Sequence, residues 1–402
     1  MKPQILEGSR AIALTIKNIA PGVISAYPIT PQTHIVEDLA KFKADGEADY
    51  EYVRAESEFA AASIILGAAA TGERTYTSTS SQGLLLMVEV LFNMAGMRLP
   101  IVITCANRAV SAPISIWNDQ QDVMAIRDAG FILLFAENSQ EAVTQHILAY
   151  KIAEKIQAPV MVNVDGFVLT HSYEEVIIPD EKDIKKFLPA YEPKSGTFLD
   201  PENPRTFGAL ATPAHYFEMR QEAHENILAA KELIKEEYEK YKKAFKNTFK
   251  EDKNVLIDNG LLEYYGPAKA ENVIIIMGSL AGTAKDAVDK KNKNAKGNIF
   301  SNGKGKTGVL KLRTYRPFPS EEILAALKKV GAKNIAVVEK DTSLGAESPL
   351  GAEVKSALFG KFIGNVKNFV VGLGGRDINS AIFEKILAQT EKPGIENIWM
   401  GK

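Results

Sequence analysis

Short apolar runs alternate with segments of helical apolar spacing through the first part of the chain. The spacing predicts helices over residues 8–20 and 33–44, and the β-branched run "GVISAY" (22–27) predicts a buried strand. Continuous apolar runs at 99–107 and 158–166 predict further strands. Strands that are apolar on both faces and alternate with helices indicate a parallel sheet covered on both sides. We therefore predict an α/β fold with a doubly wound parallel sheet.

Two strand-to-helix units follow the same pattern within this region. Residues 51–72 begin as a strand and continue as an Ala-rich helix, and residues 74–83 form a strand that runs into a polar, Gly-containing turn. Residues 84–97 then return to helical spacing.

The pattern changes after about residue 172. Residues 177–213 are Pro-rich and irregular, and residues 214–247 form a long, highly charged amphipathic helix. Its charge favours a solvated face with i,i+4 ion pairs over a partner surface. A second α/β pattern begins near residue 268 and predicts strands at 307–319, 333–341 and 368–377. We predict two domains, residues 1–250 with an extension over about 173–250, and residues 251–402.

Composition and charge exclude several classes of function. The net charge of −2 gives no basic field for nucleic acid or an anionic membrane. No apolar run is long enough for a transmembrane helix, and the N-terminus lacks the apolar stretch of a signal peptide. The single cysteine, Cys105, permits neither an intrachain disulfide nor a cysteine-ligated cluster. We predict a cytoplasmic protein.

Several motifs are rejected as sites. The "GKT" at 305–307 lacks the first glycine of a phosphate-binding loop and precedes a strand. The lysine-rich stretch 285–306 is interpreted as a solvated loop. No dinucleotide fingerprint is present. The five histidines show no metal-ligand spacing, so no metal site is predicted, and His171, at the end of a strand segment, is assigned a structural hydrogen bond.

Two stretches carry candidate chemistry. In "ISAYPITPQTHI" (24–35), two prolines enclose Thr30 and stiffen the turn after a buried strand, which favours either a rigid connection or a device that holds a side chain still. In "ESEFAAAS" (56–63), Glu58 lies at a strand-to-helix junction followed by small residues that permit close approach. Glu58 is either a helix N-cap or a group that contacts a ligand.

The chain resembles the α subunits of 2-oxoacid:ferredoxin oxidoreductases, most closely those of pyruvate:ferredoxin oxidoreductase. The resemblance is carried in order by seven segments. They are "AYPITPQTHIVE", "ESEFAAAS", "TSSQGLLLMVEV", "NRAVSAPISIWNDQQDVMAIRDAGF", "PVMVNVDGFVLTH", "RTYRPFP" and "VVGLGGRD". It implies a thiamine-diphosphate-binding fold with a pyrimidine domain, followed by a smaller α/β domain like the transketolase C-terminal domain.

The resemblance also implies roles for four residues. Glu58 matches the glutamate that hydrogen-bonds the pyrimidine nitrogen N1′ of thiamine diphosphate, and Pro28 is implied to line the pyrimidine pocket. Thr30 matches the threonine that contacts the 2-oxoacid. Arg108 matches the arginine that binds its carboxylate, for which a guanidinium offers two parallel donors. The alternative for Arg108 is a structural salt bridge.

The implied reaction is the oxidative decarboxylation of pyruvate with coenzyme A, with electrons passed to ferredoxin. No Gly-Asp-Gly stretch and no cluster cysteines are present, so the resemblance implies that a β subunit shares the thiamine diphosphate. Partner subunits are then expected to hold Mg²⁺ and the [4Fe-4S] clusters, and γ and ferredoxin-like δ subunits to complete the complex. The alternatives are a sister enzyme for 2-oxoisovalerate or 2-oxoglutarate, and a non-catalytic scaffold subunit.

Overall fold

The elements below come from a computed structural model that describes residues 2–249, 252–295, 306–392, 394 and 397–401. The strands are Gln4–Glu7 (β1), Val23–Ala26 (β2), Glu51–Arg54 (β3), Thr75–Thr79 (β4), Val102–Asn107 (β5), Ile132–Phe135 (β6), Val160–Asp165 (β7), Tyr173–Val176 (β8), Val255–Asp258 (β9), Leu262–Tyr265 (β10), Asn272–Met277 (β11), Thr307–Leu312 (β12), Thr314–Arg316 (β13), Asn334–Glu339 (β14), Asn365–Val370 (β15) and Asn397–Trp399 (β16). The α-helices are Gly8–Ile19 (α1), Thr33–Ala44 (α2), Glu58–Ala70 (α3), Ser81–Leu86 (α4), Val88–Gly96 (α5), Gln121–Ala125 (α6), Ser139–Ile156 (α7), Glu181–Phe187 (α8), Pro213–Ala244 (α9), Leu280–Ala295 (α10), Ser320–Val330 (α11), Pro349–Leu358 (α12) and Ser380–Thr390 (α13).

The first sheet has seven strands in the order β13-β6-β7-β5-β4-β2-β3. All of them run parallel except β13, which is antiparallel to β6. The successive residues Val102 and Ile103 of β5 pack into two different hydrophobic cores, one on each face of the sheet. Both faces of the sheet are therefore buried, which confirms the prediction of a parallel, doubly wound α/β fold.

The second sheet also has seven strands, in the order β16-β15-β14-β11-β12-β10-β9. Its first five strands are parallel, and β10 and β9 are antiparallel additions at one edge. Ile275 of β11 lies in the same core as Ile103, whereas Ile274 lies in a third core. One apolar core is thus shared by the two sheets.

The segment 307–319 was predicted as one strand of the second domain, and this is wrong. The strand breaks at Arg313, after which β13 pairs with β6 of the first sheet. Arg313 lies between the sheets, where its amide donates to Leu261 O at 3.0 Å and its carbonyl accepts from the Phe135 amide at 2.8 Å. Its buried guanidinium pairs with Glu141 beside the first sheet and with Asp258 and Glu263 of the second sheet. These ion pairs hold the chain at the point where it passes from one sheet to the other. The domain boundary at residue 250 stays a prediction.

The lysine-rich stretch is helical over its first half. Helix α10 runs to Ala295, so the predicted loop is wrong for residues 285–295, and residues 296–305 lie outside the described part of the chain. Lys285 is not a solvated lysine, because it pairs with Glu137 at 2.7 Å and Glu263 at 2.6 Å.

The region after residue 172 is partly regular. It begins with β8, which pairs with β1, and continues with α8. Only the stretch between α8 and α9 is irregular. Helix α9 forms as predicted and carries an i,i+4 ion pair between Glu236 and Lys240. Among the described residues, no helix has the length and apolar character needed to cross a bilayer.

Candidate active site

The predicted site residues lie at one edge of the first sheet. Thr30 follows β2, Glu58 follows β3 and Arg108 directly follows β5. The carboxyl ends of parallel strands meet at the same edge, and the crevice beyond them is the usual ligand site of open α/β sheets. The topology therefore brings together residues that lie far apart in the chain.

Glu58 is the first residue of α3 and is not its N-cap. Ser57 caps the helix by accepting a hydrogen bond from the Ala60 amide at 3.1 Å. The Glu58 residue is only 8% exposed, yet within the described part of the chain no group donates a hydrogen bond to its carboxylate. A buried carboxylate without donors is an acceptor available to a ligand.

Gly83 in α4 lies directly against Glu58. A Cβ at Gly83 would be 2.7 Å from Glu58 Oε1 and 2.5 Å from Thr79 Oγ1. These distances are shorter than a van der Waals contact, so only glycine fits beside the carboxylate. Next to this contact, Thr79 Oγ1, Ser80 Oγ and Gln82 Nε2 are buried and find no partner among the described residues.

Arg108, which follows β5, contacts the same group of residues through Gln82. Its guanidinium donates to Thr30 O at 2.8 Å, to Ser115 O at 3.1 Å and to Gln82 Oε1 at 3.3 Å. Within the described residues the guanidinium forms hydrogen bonds to neutral acceptors and no carboxylate pairs with it, while the role of Arg108 stays a prediction. Since an arginine has five N–H donors and these bonds use three, two remain for a ligand. Burial lowers the pKa of Arg108, which the Asp122 carboxylate partly opposes.

The proline turn is fixed from below by Gln32. Gln32 is fully buried, accepts from the Ile29 amide at 3.2 Å and donates to Ser78 O at 2.8 Å. Thr30 and Pro28 are exposed above it. The Thr30 carbonyl is the atom that Arg108 binds, so the Thr30 hydroxyl is not held by this contact.

Asp122 organises the site and was not predicted. Its carboxylate accepts from the backbone amides of Ser81 and Arg108, both at 3.0 Å, and from Asn107 Nδ2 at 3.0 Å. Burial raises the pKa of Asp122 to about 6, against the hydrogen bonds that favour its ionised form. Asp122 thereby joins the start of α4 to the end of β5, which sets the position of Arg108.

A buried ion pair was also missed. Lys340, at the end of β14, donates to Asp165 at the end of β7 over 2.7 Å, with side chains 6% and 1% exposed. Asp165 also accepts from the Ser279 amide at 2.9 Å, and Lys340 Nζ donates to Asn118 Oδ1. The carboxyl ends of the two sheets therefore meet at this pair, beside the loop that follows Arg108.

Family models match most of the chain. Residues 15–239 match "Pyruvate flavodoxin/ferredoxin oxidoreductase, thiamine diP-bdg", and residues 270–382 match "Pyruvate:ferredoxin oxidoreductase core domain II".

Relatives with assigned names match nearly the whole chain. The chain is 44% identical over 402 residues to the pyruvate synthase subunit PorA of Methanocaldococcus jannaschii, covering 99% of this chain and 97% of that protein. It is 46% identical over 399 residues to the same subunit of Methanosarcina barkeri, covering 97% and 93%. The ketoisovalerate oxidoreductase subunit VorA of Pyrococcus horikoshii is 41% identical over 375 residues, covering 93% and 90%.

A solved structure shares the fold. It is a 2-oxoglutarate:ferredoxin oxidoreductase from Magnetococcus marinus with 2-oxoglutarate, coenzyme A and succinyl-CoA bound, with a TM-score of 0.70 at 20% identity. The match covers 97% of this chain and 66% of that longer chain.

Proposed function

The chain belongs to the pyruvate:ferredoxin oxidoreductase family, and we propose that it is the α subunit of an enzyme that oxidatively decarboxylates pyruvate. The reaction consumes coenzyme A, yields acetyl-CoA and CO₂, and passes electrons to ferredoxin. The observation that carries the proposal is the 44% and 46% identity to two pyruvate synthase subunits over nearly the full length of each.

The residues at the site fit thiamine diphosphate. The buried Glu58 carboxylate lacks a donor among the described residues, the glycine beside it leaves room for that carboxylate, and Gln82 Nε2 is an unused donor nearby. When bound, thiamine diphosphate supplies the nucleophilic carbon and takes up the electrons released by decarboxylation. Glu58 would hold a proton at the pyrimidine nitrogen, and Pro28 would line the pocket.

Arg108 and the Thr30 hydroxyl would bind the oxoacid. The two remaining N–H groups of Arg108 suit a carboxylate, since a guanidinium presents paired donors to two oxygens. Its bonds to three acceptors hold it still before substrate arrives, which lowers the entropy cost of orienting the keto carbon.

The remaining components belong to partner subunits in this proposal. A β subunit would bind the diphosphate with Mg²⁺ and carry a [4Fe-4S] cluster, and γ and ferredoxin-like δ subunits would pass electrons to ferredoxin. We propose a cytoplasmic complex. A second candidate is the sister enzyme for 2-oxoisovalerate, favoured by the 41% identity to a ketoisovalerate oxidoreductase subunit.

The first test is the substrate. The complex, purified with whatever subunits accompany this chain, is assayed for dye reduction with coenzyme A and either pyruvate, 2-oxoisovalerate or 2-oxoglutarate. Preference for pyruvate supports the proposal. Preference for 2-oxoisovalerate assigns the chain to the second candidate, and inactivity with all three while thiamine diphosphate is bound would favour a scaffold subunit.

The second test addresses Glu58 and Arg108. Glu58→Gln should abolish turnover while the exposed Glu56→Gln does not. Arg108→Lys should raise KM for pyruvate by roughly 10- to 150-fold, because losing one hydrogen bond to a charged group costs about 1.5–3 kcal/mol. The matched control is Arg220→Lys on the exposed part of α9. Normal turnover in Glu58→Gln with thiamine diphosphate bound would refute the role of Glu58, and an unchanged KM would refute that of Arg108.

A further inference from the structure

Three side chains with metal-ligating atoms meet beside the proline turn. They are Glu7 at the end of β1, His34 in the first turn of α2, and His171 in the turn after β7. Their ligand atoms all lie within 4.8 Å of one another, and His34 Nδ1 is 2.7 Å from Glu7 Oε1. The two imidazole rings are tilted by 36° to each other, with centroids 4.7 Å apart.

The orientation of His171 suits a ligand. Its Nδ1 is 2.7 Å from the hydroxyl of Thr170, which is fully buried and also accepts from the Phe167 amide at 2.8 Å. A hydroxyl oxygen can accept two hydrogen bonds, so His171 Nδ1–H can donate to it and leave Nε2 for a metal. A hydrogen bond from the second ring nitrogen to an oxygen is the usual support of a metal-bound histidine.

We propose that Glu7, His34 and His171 bind a divalent transition-metal ion, with Zn²⁺ as the ion to test. Two imidazoles and one carboxylate form a donor set that zinc accepts, with a fourth position left for water. Tetrahedral ligands at about 2.0–2.1 Å from zinc lie roughly 3.4 Å apart. The ligand atoms here all lie within 4.8 Å of one another, so small movements would bring them to this separation. The ion would replace the hydrogen bond that joins His34 Nδ1 and Glu7 Oε1.

The ion would connect three segments that are remote in sequence. His34 follows the proline turn closely, and the turn that carries His171 begins at Gly166, whose position packs against Pro31: a Cβ there would be 2.6 Å from Pro31 Cγ. Metal binding at this site would therefore restrain the segment that carries Thr30. No feature of the sequence predicted this metal site, because the three ligands have no common spacing along the chain.

The experiment measures zinc in the purified complex. The complex is stripped with a chelator, dialysed against buffered Zn²⁺ and analysed by elemental mass spectrometry, for the wild type, His171→Gln, Glu7→Gln and His215→Gln. His215 is an exposed histidine of α9 and is the matched control. We expect zinc affinity at least about tenfold weaker in His171→Gln and Glu7→Gln than in the wild type and His215→Gln.

Two further readouts exclude a loss of folding as the cause. Zinc should raise the Tm of the wild type and of His215→Gln, and should not raise that of Glu7→Gln, whose side chain keeps its shape. X-ray absorption at the zinc edge should show nitrogen and oxygen ligands without sulfur. Equal zinc content in all four proteins, or no zinc retained by the wild type, would overturn the proposal.

Discussion

Replacing Lys340 with Met would remove the cation from the buried pair that joins the two sheets. Asp165, 1% exposed, would then keep its charge without a counter-ion. Four hydrogen bonds to Asp165 would remain, from the amide and hydroxyl of Ser279, from Gln120 and from Asn118. Leaving a buried charge unpaired costs about 3–5 kcal/mol, and we expect about 3 kcal/mol here because those bonds still solvate the carboxylate.

The effect should depend on pH in a defined direction. Burial acts to raise the pKa of Asp165, but the Lys340 ammonium holds that pKa below its usual value. The ion pair therefore stabilises the fold above the unfolded pKa of about 3.9, and this stabilisation is lost as the pH falls. Without Lys340, burial raises the pKa of Asp165, so the folded state binds the proton more tightly than the unfolded state. The stability difference between wild type and Lys340→Met should therefore shrink from pH 7 to pH 5.

The assay is urea unfolding of the full chain, followed by circular dichroism and by the fluorescence of its two tryptophans, of which Trp117 adjoins Asn118 in sequence. The matched control is Lys43→Met, which removes a surface pair with Glu51 and should cost less than about 1 kcal/mol. Asp165→Asn combined with Lys340→Met should recover part of the loss. A cost for Lys340→Met no larger than the control's, or one that grows toward pH 5, would refute the reasoning.

Three further predictions follow from single contacts. Gly83→Ala should lower turnover by about 100-fold because the added methyl group displaces the Glu58 carboxylate. Gly67→Ala, whose Cβ would meet open space, should leave turnover unchanged. Equal effects of the two substitutions would contradict the close contact at Gly83. Ser57→Ala should cost about 1 kcal/mol of unfolding free energy through the lost helix cap, measured against the exposed Ser63→Ala. Burial lowers the pKa of His146 to about 4, so the unfolded state binds more protons below pH 6.5. Urea unfolding should show a loss of about 2 kcal/mol between pH 7 and pH 5 that is absent in His146→Asn.

Local sequence patterns were sufficient for most of the secondary structure. The apolar run of β5 and the helical spacing of α1 and α2 are read over roughly ten residues, where periodicity alone separates strand from helix. The roles of Thr30 and Arg108 came instead from the resemblance to a known family. The fold then places both residues at one edge, because each follows a parallel strand and such strands end together. Only the second half of helix α10 was missed, because the Lys and Asn residues over 290–294 carry no apolar spacing.

Contacts between distant segments were decided only by tertiary packing. Asp165 and Lys340 are 175 positions apart, and neither stands in a motif that marks a partner. The break between β12 and β13 depends on carboxylates of another segment that surround Arg313. Local periodicity in the sequence determined most of the strands and helices, whereas the candidate site residues were identified by their resemblance to a known family. The packed fold alone decides which charges pair where the two sheets meet and which histidines lie near Glu7. Only packing brings these residues within a few ångströms of one another.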